Sequence, residues 1–254
     1  MTDPAATRDR FLGGRVLLAQ PVEGYRAATD PVFLAAAVPA SPGESVLDLG
    51  VGAGAASLCL AARIPELQQE GIDIEPAYLA LAEENAATAR VTMKLHEGDV
   101  AAMPAVLRAK NFDHVITNPP YGLQTALASP NPIKDRAHRE AGDGLSAWLG
   151  AAVSRLRSRG WLTLIHRADR LPEILAALAP GMGDIAVLPL AAREGRAAKR
   201  IVVRARKASR GPFRLLAPLV LHQGPAHLAD QDDFTPAARA ILRDAQPLSF
   251  EDRT

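Results

Sequence analysis

Two short segments combine residue types and spacing that suit a chemical task. The first is Asp48-Leu49-Gly50-Val51-Gly52-Ala53-Gly54, which starts at the end of the apolar run SVLDL and leads directly into AASLCLAAR. Three glycines at alternate positions let the chain turn sharply and bring backbone within contact distance of a ligand. A carboxylate ahead of the first glycine would repel a pyrophosphate, yet it can engage a ligand carrying ammonium or sulfonium charge. No Gly-Lys-Ser/Thr follows, so the loop is not built for a nucleoside triphosphate.

The second segment is Asn118-Pro119-Pro120-Tyr121, at the end of FDHVITN. Two successive prolines allow neither helix nor strand to continue, so this is a rigid turn. Rigidity suits a difficult nucleophile. The lone pair of a planar exocyclic amine is delocalised, and two fixed acceptors can localise it by taking one N–H each. The Asn118 side-chain oxygen and the Pro119 carbonyl are candidates for that task, and Tyr121 offers a face on which a base can stack. No metal is needed. A DxGxGxG loop after a first strand points to S-adenosylmethionine as the ligand that donates to such an amine.

Further carboxylates fall at matching places. Asp73 ends the next apolar run, where it can accept from both ribose hydroxyls of an adenosine, or else cap the helix that Pro76 opens. Glu75 competes for the ribose role. Asp99 follows a third run and can accept from an adenine amine or act as a cap. Ile74 and Val100 are counted in the same cofactor site.

The elements that must position these groups read as alternating strands and helices. Strands are predicted at Ser45–Leu49, Gly71–Ile74, within VTMKLHEGD, at Phe112–Asn118 and at Trp161–His166. Helices are predicted at Asp30–Val38, Ala55–Arg63, Pro76–Ala89 and about Leu145–Arg157. This order predicts a Rossmann-like α/β fold with a doubly wound, mostly parallel, seven-stranded sheet. RIVVRARK and FRLLAPLVLH read as two long strands forming an antiparallel edge. One domain is expected over 1–254, with a helical lead-in at 1–44, a cofactor core at 45–190 and edge strands with a tail at 191–254.

Composition narrows the class. The 254 residues are 48% hydrophobic with mean hydropathy near zero, as in a globular chain. The single cysteine, Cys59, excludes a disulfide framework and a cysteine-based zinc site, and it reads as a buried small hydrophobe. No apolar run is long enough to span a bilayer and the N-terminus lacks a signal-peptide core, so a soluble cytoplasmic protein is expected. Trp148 and Trp161, in apolar patterns, read as core, and His166 as structural or simply exposed. Net charge is +1, but 134–214 hold 17 basic against 7 acidic side chains, while 1–133 hold 9 against 15. Nine basic residues lie between Arg193 and Arg214. In RIVVRARK, Arg200, Val202, Arg204 and Arg206 share one strand face, which is either an RNA-facing stripe or a solvated, edge-protecting one.

Taken in order, DLGVGAG, GIDIEP, EGDV and NPPY resemble class I S-adenosylmethionine-dependent amino-methyltransferases. More narrowly, the chain resembles the bacterial tRNA(Val) adenine methyltransferase family. Softer matches are Gly24-Tyr25-Arg26 leading to Thr29-Asp30, Arg136 with Arg139-Glu140, Ala198-Lys199-Arg200, and PLVLH followed by Phe234-Thr235-Pro236. The resemblance implies methylation of an adenine amine in the anticodon loop, with tRNA as partner and no membrane or metal. It implies that Thr29 lies near the cofactor's methionine end and that the region of Lys199 and Arg200 holds RNA; Arg136, His138 and Arg139, nearer the NPPY turn in sequence, are expected to clamp the target strand. The chain departs from the family at Ala197, where proline is common, and in a longer loop after NPPY. The sequence is equally compatible with a monomer and a homodimer.

Three enzyme alternatives share the chemistry. Release-factor glutamine methyltransferases use NPPY on an amide, but usually carry a helical domain before the glycine loop, where about 47 residues stand here. Ribosomal RNA guanine methyltransferases commonly have an extra domain, and DNA adenine methyltransferases need a target-recognition domain. A non-catalytic RNA-binding protein on a decayed fold is the alternative outside enzymes.

Overall fold

The structure is a computed structural model that describes residues 6–120, 144–226 and 233–251. The chain opens with an antiparallel hairpin, β1 (Ala6–Phe11) and β2 (Val16–Pro21), followed by helix α1 (Asp30–Ala37). The lead-in is therefore not simply helical. Its hairpin turn, Leu12–Gly14, uses glycine at positive φ.

Alternating strands and helices follow: β3 (Ser45–Leu49), α2 (Ala55–Arg63), β4 (Gln68–Asp73), α3 (Pro76–Ala89), β5 (Met93–Glu97), α4 (Ala105–Arg108) and β6 (Phe112–Thr117). After these come α5 (Gly144–Arg155), β7 (Leu156–Arg167), α6 (Leu171–Leu178), β8 (Met182–Ala191), β9 (Arg200–Lys207), β10 (Arg214–Leu215), β11 (Leu219–Val220) and α7 (Pro236–Asp244). Strands β3 to β7 are mutually parallel, and the sheet runs β10-β8-β9-β7-β6-β3-β4-β5, with β11 beside β8. Strand β9 alone runs against its neighbours, β7 and β8.

The expected architecture is present, with the count and the edge corrected. Seven long strands make the body, and two two-residue strands bring the described sheet to nine. Strand β8 has no counterpart among the predicted strands, because Gly183, Asp184 and Pro189 dilute its apolar pattern. RIVVRARK is antiparallel as expected but lies two strands in from the edge. FRLLAPLVLH is not one long antiparallel strand. Pro218 lacks an N–H for a ladder, so the segment docks on β8 as two short parallel pieces.

Period-2 alternation sorts the sheet residues onto two cores. Val46, Ile116, Ile165 and Val202 pack with α1, α2 and α7, whereas Leu47, Val115, Leu164 and Val203 pack with α5 and α6. Both faces are covered, which is why these strands read as continuous apolar runs.

Candidate active site

The chain leaves β3 outward to β4 and β5, then returns to β6 on the other side of β3. That reversal opens a crevice at the carboxyl ends of β3 and β6, the place where open α/β sheets take ligands. A cavity of about 490 Å³ occupies it. The glycine loop forms one wall, the Asn118-Pro119-Pro120 turn another, and the segment after β2 covers it through Tyr25 and Ala27.

Gly50, Gly52 and Gly54 all have positive φ, which strains any other residue. Gly50 and Val51 donate to the Ile72 carbonyl, folding the loop back over β4. A Cβ on Gly50 would lie 3.1 Å from the Trp148 ring, whereas one on Gly52 would meet nothing within 4 Å. The loop is thus tight against protein at its start and open at its centre. Asn85 of α3, 2% exposed, clamps it from behind. Its side chain accepts from Ala19 N–H at 2.7 Å and donates to the carbonyls of Ala19 and Ala53.

Asp48, Asp73, Glu75 and Asp99 all line the cavity, and no Lys, Arg or His does so among the described residues. Asp48 is buried and accepts from the Ser57 hydroxyl at 2.7 Å. Burial pushes its carboxyl up to about 7, aided by the nearby charge of Asp73 and opposed by the Ser57 hydrogen bonds. Asp73 accepts from Gly52 N–H at 2.8 Å on one oxygen and from Glu75 N–H at 3.0 Å on the other. Each oxygen keeps a second acceptor site. Asp99 accepts from Ala101 N–H at 2.8 Å, an Asx-type turn that leaves its other oxygen uncommitted by that bond. Ile74 and Val100 supply apolar lining. Four carboxylates with apolar walls fit a ligand that presents positive charge, hydroxyls and an amine around an aromatic ring, which is the chemistry of S-adenosylmethionine.

At the other wall, Thr117 ties the two loops together. Its hydroxyl donates to the Leu49 carbonyl at 2.8 Å and accepts from the Trp148 indole at 2.9 Å. Trp148, expected in the core, is instead a half-buried wall of the cavity. Asn118 donates through Nδ2 to the Tyr25 hydroxyl at 2.9 Å, and its Oδ1 is buried with no hydrogen-bond partner among the described residues. A buried acceptor left open beside a cavity is costly unless a ligand donor meets it.

Not every expected residue gathers here. Thr29 lines a separate small cleft with Phe11, Leu12 and Phe234, and its carbonyl accepts from Val32 and Phe33 to start α1. Its neighbours Ala27 and Pro31 reach the cavity instead. Arg200 pairs with Asp30 at 3.0 Å, joining β9 to α1. Arg204 lies over the rings of Trp161 and Phe250, so the Arg200–Arg206 face is covered by protein and does not form an open stripe. Lys199 and Arg196 are exposed in the β8–β9 connection, at the same sheet edge as the cavity. Tyr121, Arg136 and Arg139 lie outside the described residues. His166 is buried, and burial brings its imidazole down to about 4; Cys59 is buried as expected. Gln20, Tyr25, Tyr78 and Trp148 had no functional reading in the sequence, although Gly24-Tyr25-Arg26 stood among the softer matches. No helix among the described residues is long and apolar enough to cross a membrane.

The fold and this cavity define a class I S-adenosylmethionine-dependent methyltransferase. The chain belongs to the methyltransferase small domain family, whose model matches residues 29–178. It is similar to a tRNA1(Val) (adenine(37)-N6)-methyltransferase of Porphyromonas gingivalis, 30% identical over 157 residues, which cover 59% of this chain and 61% of that protein. A release factor glutamine methyltransferase of Geobacter sulfurreducens is 33% identical over 126 residues, 46% of this chain and 43% of that one. Among solved structures, a predicted O-methyltransferase from Agrobacterium tumefaciens matches with a TM-score of 0.69 and 27% identity, over 86% of this chain and 98% of that one.

Proposed function

We propose that this methyltransferase acts on the exocyclic amine of an adenine in tRNA, in the anticodon loop of tRNA(Val). The observation that carries the reading is the open, buried Oδ1 of Asn118 at the wall of a carboxylate-lined cavity. An amine brings the N–H that this atom lacks. The name of the Porphyromonas gingivalis relative supports adenine in tRNA as the acceptor.

In this reading Asp48 faces the positive charge of the cofactor, Asp73 takes the ribose hydroxyls, and Asp99 takes the adenine amine, with Ile74 and Val100 against the ring. The glycines Gly50, Gly52 and Gly54 let the backbone approach. When bound, S-adenosylmethionine would supply an electrophilic methyl group on a sulfonium, which the target amine would take in exchange for one N–H proton. Asn118 Oδ1 and the Pro119 carbonyl each accept one N–H of the target amine, turning its lone pair out of the ring plane. Pro120 keeps that turn stiff, and Tyr121 stacks on the base. Lys199, with Arg136 and Arg139, meets phosphates, while Arg200 fixes the strand that presents Lys199 through its pair with Asp30.

The test is transfer of labelled methyl from S-adenosylmethionine to total tRNA, ribosomal RNA and a purified release factor, followed by nucleoside analysis. Label in tRNA recovered as N6-methyladenosine supports the reading. Label confined to the release factor, the acceptor named for the Geobacter sulfurreducens relative, overturns it while leaving the cofactor site intact.

A further inference from the structure

Asn118 can perform its proposed task only if the right end of its amide faces the acceptor. The terminal torsion of an asparagine is broad, and its oxygen and nitrogen are nearly equal in size. If the amide turns over, two N–H donors confront the donors of the target amine. Some neighbour must hold the amide plane and take up Nδ2.

We infer that Tyr25 is that positioning residue: its hydroxyl accepts Nδ2–H of Asn118 at 2.9 Å and so presents Oδ1 to the acceptor amine. The inference rests on the reading of Asn118 given above. It deepens that reading by naming a residue on the N-terminal lead-in, far in sequence from the reaction turn, as part of the transfer machinery.

Tyr25 is 54% exposed, yet it is not a loose surface aromatic. Its backbone N–H donates to the Tyr78 hydroxyl at 2.9 Å, and that hydroxyl donates back to the Tyr25 carbonyl at 3.1 Å. Gly24 has φ +103, and a Cβ there would stand 3.0 Å from the same hydroxyl, so the approach requires glycine. On the other side, Arg26 donates to Asp9, Thr7 and the Pro21 carbonyl. Gln20, 2% exposed, accepts from Ala27 N–H at 2.6 Å and donates to the Ala27 carbonyl. The segment is therefore fastened to α3 through Tyr78 and to the β1–β2 hairpin through Arg26 and Gln20. Burial and the charge of Asp30 raise the Tyr25 pKa, so the hydroxyl stays neutral.

An amide held this way is oriented before the acceptor arrives, and the benefit falls on the transfer step more than on binding. A base-stacking role for the ring would do the reverse, because it would depend on the aromatic face and leave the hydroxyl dispensable.

The experiment is Tyr25→Phe in the full chain, read in two ways. The first is the side-chain amide signal of Asn118 in a 1H–15N spectrum, identified by its absence in Asn118→Ala. The second is steady-state methyl transfer with the acceptor that the wild type labels. Expected are a displaced Asn118 amide signal, kcat lower by about 10-fold, and acceptor KM and S-adenosylhomocysteine Kd within about 2-fold of wild type. Tyr78→Phe, which loosens the post and keeps the Tyr25 hydroxyl, lowers kcat in the same direction by less. An unmoved amide signal with wild-type kcat overturns the inference, and so does a loss confined to KM. If the wild type methylates no amine, the proposed function fails, and the amide signal alone then decides whether Tyr25 holds Asn118.

Discussion

Gly52, in the loop after β3, and Asp73, at the end of β4, are joined by a hydrogen bond of 2.8 Å from the backbone N–H of one to the carboxylate of the other. The same carboxylate also accepts from Glu75 N–H. One side chain at the end of β4 thereby fixes the centre of the glycine loop and the turn into α3, while lining the cavity itself. Ligand recognition and loop geometry are coupled in this residue.

Asp73→Ala therefore loosens the loop as well as removing a ligand contact. The expected fall in S-adenosylhomocysteine affinity is about 10- to 100-fold, the size of a charge-assisted hydrogen bond or two. Asp73→Asn keeps one acceptor for Gly52, so it lowers the melting temperature less than Ala while still weakening the ligand. Calorimetric titration and thermal unfolding of the two variants separate the contributions.

The raised carboxyl of Asp48 makes cofactor affinity depend on pH. At pH values below about 7 the free protein holds this group protonated, and a cationic ligand must displace the proton. Affinity for S-adenosylmethionine thus rises with pH through about 7 and then levels. The dependence is shallower for S-adenosylhomocysteine, which lacks the sulfonium charge, and flat in Asp48→Asn. For the ligand-free protein the sign is opposite. The folded state binds the proton more tightly than the unfolded chain, so this group's contribution to stability falls as pH rises from the ordinary carboxyl range to about 7. Thermal unfolding across that window, with and without Asp48→Asn, checks it.

Asn118→Ala removes a buried acceptor that has no partner among the described residues. Methyl transfer is expected to fall by about 100- to 1,000-fold, the loss typical of a preorganised polar group at the reacting centre. The melting temperature is expected to stay level or rise slightly, since the deleted atom is unsatisfied without substrate. A large drop in stability would show that the side chain is structural.

Asn85→Ala has the reverse signature. It strands the Ala19 N–H and two carbonyls behind the glycine loop, at an expected cost of about 2–4 kcal/mol in unfolding free energy. Denaturant unfolding measures that directly, with affinity for the cofactor product falling as a secondary consequence.

Salt dependence distinguishes neighbouring basic residues. If Lys199 meets one phosphate, Lys199→Ala lowers the slope of log affinity against log salt by about 0.7–0.9. Arg200→Ala is expected to change that slope less and to cost about 1 kcal/mol or less of stability, because its guanidinium is engaged with half-buried Asp30. Filter binding of tRNA over a salt series gives both slopes.

The parallel half of the molecule was readable in the chain because its pattern is local: each strand is one apolar run, and the glycines and Pro76 mark the turns. Asp48, Asp73, Asp99 and Asn118 could be placed for the same reason, each standing at the end of such a run. The hairpin β1–β2 escaped notice because its alternation is broken by the successive apolar residues Val16–Ala19. The alternation in RIVVRARK marks strand β9 and sorts its residues onto two faces, but does not tell which face is covered. Arg204 sits on an inner strand, where two aromatic rings cover it, and nothing in RIVVRARK signals that. Tyr25 and Asn85 act through partners 93 and 66 residues away, a relationship that no local pattern carries.

Strand β9 enters the sheet from the cavity side and leaves it at the far end. A single reversed strand thus returns the chain to the working edge once more, after the cofactor loops are complete. The eight residues of its entry connection, 192–199, border that edge without contributing to the lining of the cavity. If the acceptor docks on this connection, as proposed for Lys199, substitutions there alter acceptor choice and leave the cavity lining untouched, so the two can evolve on separate schedules.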